Sequence, residues 1–211
     1  MKSSTGFTII ELVISIFILS IAVVGIFNAF SVMTILTSAS ADQLTATYLV
    51  QEGLEIVRNI RDGNWLDMDI CSANPLAGIC PANWDKGLTS VGLCADASTG
   101  CEADYTSTSM LGTSGNYLYL SPDGFYGYDA TNASPTKFQR KIIITKVADV
   151  NNQADDHILK VTVMVAWNEK ATVLHSGRDV QYGMDNCEAT DNCIKAEVML
   201  YDWYNYLSYA Q

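Results

Sequence analysis

Thirty consecutive residues without a charge, Leu12–Ala41, follow a lone carboxylate at Glu11 near the start of this chain. Glu11 is the only ionisable side chain between Lys2 and Asp42. As a helix the run measures about 45 Å at ~1.5 Å per residue, longer than the ~30 Å hydrocarbon core of a bilayer. It also exceeds the roughly 7–15-residue apolar core of a secretory signal. The first proline is Pro75, so nothing forces a helix to stop at the membrane face. The stretch SVMTILTSASADQL turns small and polar, as a helix leaving lipid does. A carboxylate at membrane depth costs about 2.5–3.5 kcal/mol on insertion scales, so Glu11 needs a task.

The helical period continues beyond the apolar run. In ATYLVQEGLEIVRNIRDGNW, Leu49, Val50, Leu54, Val57 and Ile60 recur at three- and four-residue steps. Glu52, Glu55, Arg58 and Arg61 fall mainly on the other side, and Asp62-Gly63 supplies a stop signal. The expectation is one helix over about 7–61. Residues 7–41 form an apolar membrane-spanning half, and 42–61 an amphipathic half whose stripe needs a partner surface. Lys2 is the only nearby positive charge, which keeps the short N-terminus cytoplasmic and the bulk of the chain outside.

The partner surface is legible further on. Residues 62–115 are rich in Gly, Ser, Thr, Asn, Asp and Cys and read as a long irregular region. From 116 to 211 short strands follow: NYLYLS at 116–121, GFYGYD at 124–129, KFQRKIIITKVADV at 137–150 and HILKVTVMVAWNE at 157–169. In the last, Leu159, Val161, Val163 and Val165 share one face, with Lys160, Thr162 and Met164 on the other. The link NNQADD predicts an antiparallel hairpin between the two long strands. ATVLHSGRDVQY at 171–182 and KAEVMLYDWYNYL at 195–207 read as edge strands. A sheet needs one face covered, and the amphipathic helix half is the natural cover. The class is α+β: an antiparallel sheet packed on the second half of a long N-terminal helix.

Charge and cysteines narrow the function. The chain carries 12 Lys+Arg against 23 Asp+Glu, a net −11, and only Lys2 and Glu11 lie before Asp42. Such a surface repels phosphates, so no nucleic-acid partner is expected. Cys71, Cys80, Cys94, Cys101, Cys187 and Cys193 all lie beyond the apolar run, with no C-x-x-C among them. An even count outside the membrane points to disulfides in an oxidising compartment. Six cysteines allow fifteen pairings. Short loops favour Cys71–Cys80, Cys94–Cys101 and Cys187–Cys193; reduced, buried thiols are the alternative.

Gly6-Phe7-Thr8-Ile9-Ile10-Glu11-Leu12-Val13 at the head of the apolar run resembles the prepilin-type N-terminal cleavage/methylation motif of type IV pilins and type II secretion pseudopilins. LVQEGLEIVRNIRDGNWL at 49–66 resembles the continuation in PilV-type minor pilins and the I-subunit pseudopilins, and VTVMVAW at 161–167 fits the same group more loosely. Strong resemblance covers residues 2–66. It implies a type IV pilin-like fold, and a six-residue leader cut between Gly6 and Phe7 by a prepilin peptidase that then N-methylates Phe7. It implies a single-pass inner-membrane protein, later drawn with other pilin subunits into an extracellular or periplasmic filament. Glu11 would then pair with the α-ammonium of a neighbouring subunit. One departure stands out: many major pilins carry a proline inside the apolar helix, and this chain has none.

Other signals are weaker. DVNNQADD offers Asp149, Asn151 and Asp155 as calcium oxygens, but lacks the central Gly and distal Glu of a calcium loop. A polar hairpin turn is the plainer reading. Asp62, Asn64, Asp67 and Asp69 read likewise. Asn132-Ala133-Ser134 matches a glycosylation acceptor. Tyr201, Trp203, Tyr204, Tyr206 and Tyr209 read as sheet packing. His157 and His175, the only histidines, have no nucleophile or metal setting in sequence. No catalytic motif appears, so a structural subunit is expected rather than an enzyme. Within the family the choice is minor pilin or secretion pseudopilin. Outside it, the rival is a membrane-anchored adhesin or binding protein using the Cys-rich 62–115 region.

Overall fold

The structure, a computed structural model, describes residues 6, 8–73, 83–89, 92–96, 98–112, 115–148, 154–169, 177–188 and 192–203. Helix α1 spans Ile9–Ala73. A short 3-10 turn at Gly92–Ala95 and strands β1 (Cys101–Glu102), β2 (Leu111–Gly112), β3 (Tyr117–Leu120), β4 (Tyr126–Gly127), β5 (Ser134–Ala148) and β6 (Ala154–Trp167) follow. Helix α2 (Val180–Asp185) and strand β7 (Cys193–Tyr201) complete the described elements. The chain divides into two compact units, Met1–Asp42 and Gln43–Gln211.

The first unit is a helix without a core. Thr8 opens it: the Glu11 amide donates to Thr8 Oγ1 at 3.4 Å and the Leu12 amide to the Thr8 carbonyl at 3.1 Å. From Ile9 to Thr34 every residue is exposed. Among the described residues this is the one helix long and apolar enough to cross a membrane.

The second unit is built on β5. One edge of β5 pairs along its length with β6, from Phe138↔Trp167 to Ala148↔Ala154. Strand β6 pairs in turn with β7, from Ile158↔Tyr201 to Ala166↔Cys193. The other edge of β5 takes β3 on its first half and β1 at Ile142, with β4 and β2 extending these two. Every pairing is antiparallel, giving a seven-stranded sheet. The alternation of the two long strands sets the inward face: Leu159, Val161, Val163 and Val165 are all fully buried. They join Ala46, Leu49, Val50, Val57 and Ile60 of α1 in one core. Gly53 lets the helix lie flush on the sheet. A Cβ there would fall 2.8 Å from Val163 Cγ1 and 3.1 Å from Arg140 Cδ.

The architecture is the expected α+β, type IV pilin-like one: a long N-terminal helix followed by an antiparallel sheet domain. Three local expectations are corrected. First, α1 does not stop at Asp62-Gly63 but runs to Ala73, so Asp62, Asn64, Asp67 and Asp69 sit on a helix and not in a turn. Trp65 explains this: it is buried, edge-on to Trp203 at 4.4 Å and stacked on Trp84 at 6.4 Å, under the Arg61 guanidinium at 4.5 Å. The Asn64 amide also donates to the carbonyls of Trp84 and Lys86. Burying an indole outweighs the ~1 kcal/mol that a helical glycine costs. Second, the region 62–115 is not wholly irregular: besides the last turns of α1 it holds β1 and β2, two-residue strands. Third, the described part of 171–182 is no edge strand. Arg178 forms an isolated bridge with Glu169, and α2 begins at Val180, capped by Asp179, whose side chain accepts from the Tyr182 amide at 2.7 Å.

Candidate functional site

The residues singled out by the sequence lie at the head of α1. Gly6 is exposed ahead of the helix; Phe7 lies outside the described residues. Thr8 and Glu11 stand in the Thr-x-x-Glu order of a capping box, and the Thr8 hydroxyl accepts from the Glu11 amide. Glu11 is thus the third helical residue, in the first turn and exposed. Its negative charge lies at the positive end of the helix dipole, a favourable place. The Thr8 cap was missed in the sequence, although the Thr-x-x-Glu order ahead of an apolar run is its signal.

Beyond Glu11 the helix handles its hydroxyls internally. Ser15, Ser20, Ser31, Thr34 and Thr37 each donate to the carbonyl four residues back, at 2.7–3.0 Å. These are all the Ser and Thr residues between Leu12 and Thr37. Back-bonding of this kind satisfies a hydroxyl where no water is at hand. Apart from the Asn28 amide, what remains exposed is hydrocarbon, including Phe17 (66%), Phe27 (70%) and Phe30 (65%). Chemically, this segment can bury apolar surface against lipid or other helices, and it presents one carboxylate at its start.

The second unit holds its part of α1 through a buried cation. Arg140 lies on the inward face of β5 with its side chain fully buried. It donates to the Ala103 carbonyl at 2.7 Å and to the Leu49 carbonyl of α1 at 3.3 Å. Glu52 Oε1 lies 3.4 Å from the same guanidinium. The Tyr128 hydroxyl donates to the Arg140 carbonyl, and burial pushes that phenol well above its ordinary range. Nearby, Asp104 collects the amide and hydroxyl of Thr106 and the hydroxyl of Ser107. Burial pushes the Asp104 carboxyl up, but these hydrogen bonds outweigh it and leave the group below its ordinary value. Arg140 was missed in the sequence, although it shares strand parity with Phe138, Ile142 and Ile144.

The remaining candidates are placed as follows. Cys94 pairs with Cys101, joining the 3-10 turn to β1, and Cys187 pairs with Cys193, tying the residues after α2 to the start of β7. Cys71 near the end of α1 is disulfide-bonded; Cys80, its expected partner, lies outside the described residues. Asp149 and Asn151 lie outside them too, while Asp155 falls within β6. Among the described residues no three His, Cys, Asp or Glu side chains gather as a metal site. His157 Nδ1 lies 3.2 Å from Asp202 Oδ2, a contact that ties β6 to the end of β7; His175 lies outside the described residues. Asn132 is exposed in a turn with φ of 58°. Of the aromatic C-terminus, Tyr201 ends β7, Trp203 packs edge-on against Trp65 of α1 while staying half exposed, and Tyr204, Tyr206 and Tyr209 lie outside the described residues.

Comparison with known proteins supports what the head of α1 suggests. Residues 1–27 match the family model described as the prokaryotic N-terminal methylation motif. No curated protein and no solved structure matches the chain. The chain carries a prepilin-type N-terminal methylation motif on a type IV pilin-like fold, as the type IV pilin and pseudopilin family does.

Proposed function

We propose, from that motif and that fold, that the chain is a structural subunit of a type IV pilus-like filament, a minor pilin or a pseudopilin. The observation that carries this reading is the motif over residues 1–27 heading a helix whose apolar residues are exposed as far as Thr34. A prepilin peptidase cuts between Gly6 and Phe7 and methylates the new amino terminus. Before assembly α1 holds the subunit in the inner membrane, N-terminus inside and the sheet domain outside. In the filament, the apolar segment packs among the same segments of other pilin subunits. Assembly of this kind needs neither a catalytic residue nor a cofactor.

Glu11 supplies register. Burying its carboxylate or a neighbour's α-ammonium alone is costly, and burying them as a pair recovers much of that cost. Apolar contact is indifferent to small axial slips, whereas a charge pair is not. The structure gives Glu11 a helix end fixed by Thr8, so its carboxylate starts from a defined place.

Mass spectrometry of the mature N-terminus tests the reading. The expected species begins with N-methylated Phe7, and a mature chain beginning at Met1 overturns it. Glu11→Ala is expected to leave membrane insertion and cleavage intact while filament incorporation falls at least tenfold, about 1.4 kcal/mol.

A further inference from the structure

Asn28 breaks the rule that the Ser and Thr residues from Ser15 to Thr37 obey. Ser15, Ser20, Ser31, Thr34 and Thr37 fold their hydroxyls onto their own helix. The Asn28 amide is exposed, flanked by Phe27 and Ala29, and its side chain makes no hydrogen bond among the described residues. Its side chain has two donor hydrogens and an acceptor oxygen. Hydrocarbon offers them nothing, so an amide left there is costly.

Position adds a second observation. Asn28 lies seventeen residues after Glu11, about 25 Å along the axis and about 100° around it. It is therefore deep in the apolar segment and turned to a different side from the carboxylate. One turn earlier on its own side is Gly25, where an added Cβ would meet nothing within 4 Å. One turn later is Ser31, its hydroxyl already folded onto Phe27 O. Small residues at a polar position let another helix approach closely enough for an interhelical hydrogen bond.

Resting on the filament reading above, we propose that Asn28 is a second assembly contact. Its amide hydrogen-bonds a backbone carbonyl or polar side chain on the apolar helix of another pilin-like subunit, with Gly25 providing the close approach. Glu11 fixes axial register at the helix head; Asn28 fixes which side of α1 faces that second neighbour.

The test uses the full chain in cells that assemble the filament. Asn28→Leu, Asn28→Gln and Glu11→Ala are compared for membrane level, leader cleavage and amount in sheared filaments. A photo-crosslinking residue at Val32, one turn beyond an intact Asn28, reports the neighbour directly. Asn28→Leu makes the segment more apolar, so insertion and cleavage are retained. Its incorporation is expected to fall about three- to tenfold, the range of one interhelical hydrogen bond, with Asn28→Gln recovering most of it. The crosslink is expected to join the apolar helix of another subunit. Wild-type incorporation of Asn28→Leu, or a crosslink to lipid alone in filaments, overturns the assignment. If Glu11→Ala is lost from filaments while Asn28→Leu is not, only the Asn28 contact falls. If both incorporate normally, the Glu11 and Asn28 contacts both fall while the filament reading stands; absence of the parent chain from sheared filaments overturns that reading.

Discussion

Helix α1 contains two stretches of similar length and opposite circumstance. From Ile9 to Thr34 it presents apolar side chains on all sides, and every residue is exposed. From Ala46 to Trp65 it presents a stripe: Leu49, Val50, Val57 and Ile60 are buried, while Tyr48, Gln51 and Glu55 face outward. The second stretch has its partner within the chain, and the first does not. An amphipathic stripe matches one surface; a helix apolar all round matches lipid or a bundle. One helix is thereby assigned to two environments by the distribution of its side chains alone.

Four experiments break or sharpen this contrast. Arg140→Ala removes the cation that joins β5 to the Leu49 carbonyl and Glu52. Breaking a buried ionic contact costs about 3–5 kcal/mol, so urea unfolding of the sheet domain should shift by that order while membrane retention holds. Gly53→Leu forces a side chain into space occupied by Val163 and Arg140. Overpacking of this kind costs about 1–3 kcal/mol, and the same unfolding assay should register a loss toward the upper end.

Asp104 probes acid sensitivity with a smaller effect. Its carboxyl lies below its ordinary value in the folded protein. Its contribution is therefore complete above the unfolded value and is lost as pH falls through the folded one. Stability measured from neutral pH down into the acid range should decline less steeply in Asp104→Asn than in the parent. Phe27→Ala should have the smallest effect on the domain. Phe27 is 70% exposed, and exposed substitutions usually move stability by less than about 0.5 kcal/mol. Its unfolding midpoint should stay in place. A large shift there would mean that the two halves of α1 are not energetically separate.

Much of this was written in local patterns. The apolar run, the stripe through Leu49 and Ile60, and the alternation from Leu159 to Val165 each follow from a single period. The loops at Cys94–Cys101 and Cys187–Cys193 followed from spacing. What stayed hidden depends on contacts distant in sequence. Asp62-Gly63 looks like a stop until Trp84 and Trp203 meet Trp65. Strand β1 is two residues long and exists because Ile142 of β5 offers it an edge. Val180 and Tyr182 have strand-like propensity, but the Asp179 cap and the tight fit of Gly183 against Asn192 make them helical. Arg140 was hidden for another reason: charge suggested surface, while its parity with Phe138 and Ile142 pointed inward. Parity was the better guide because carbonyls of Ala103 and Leu49 were waiting there.

The two described disulfides span only seven and six residues of sequence. The entropic cost of bringing two residues together grows with the length of chain between them. Cys94 therefore encounters Cys101 far more readily than it encounters Cys187, and Cys187 encounters Cys193 more readily than either of the others. Neighbourhood along the chain sorts these partners before the sheet exists to sort them. Oxidation can proceed on a nascent, unfolded segment and still arrive at these two pairs, so they do not depend on the finished sheet.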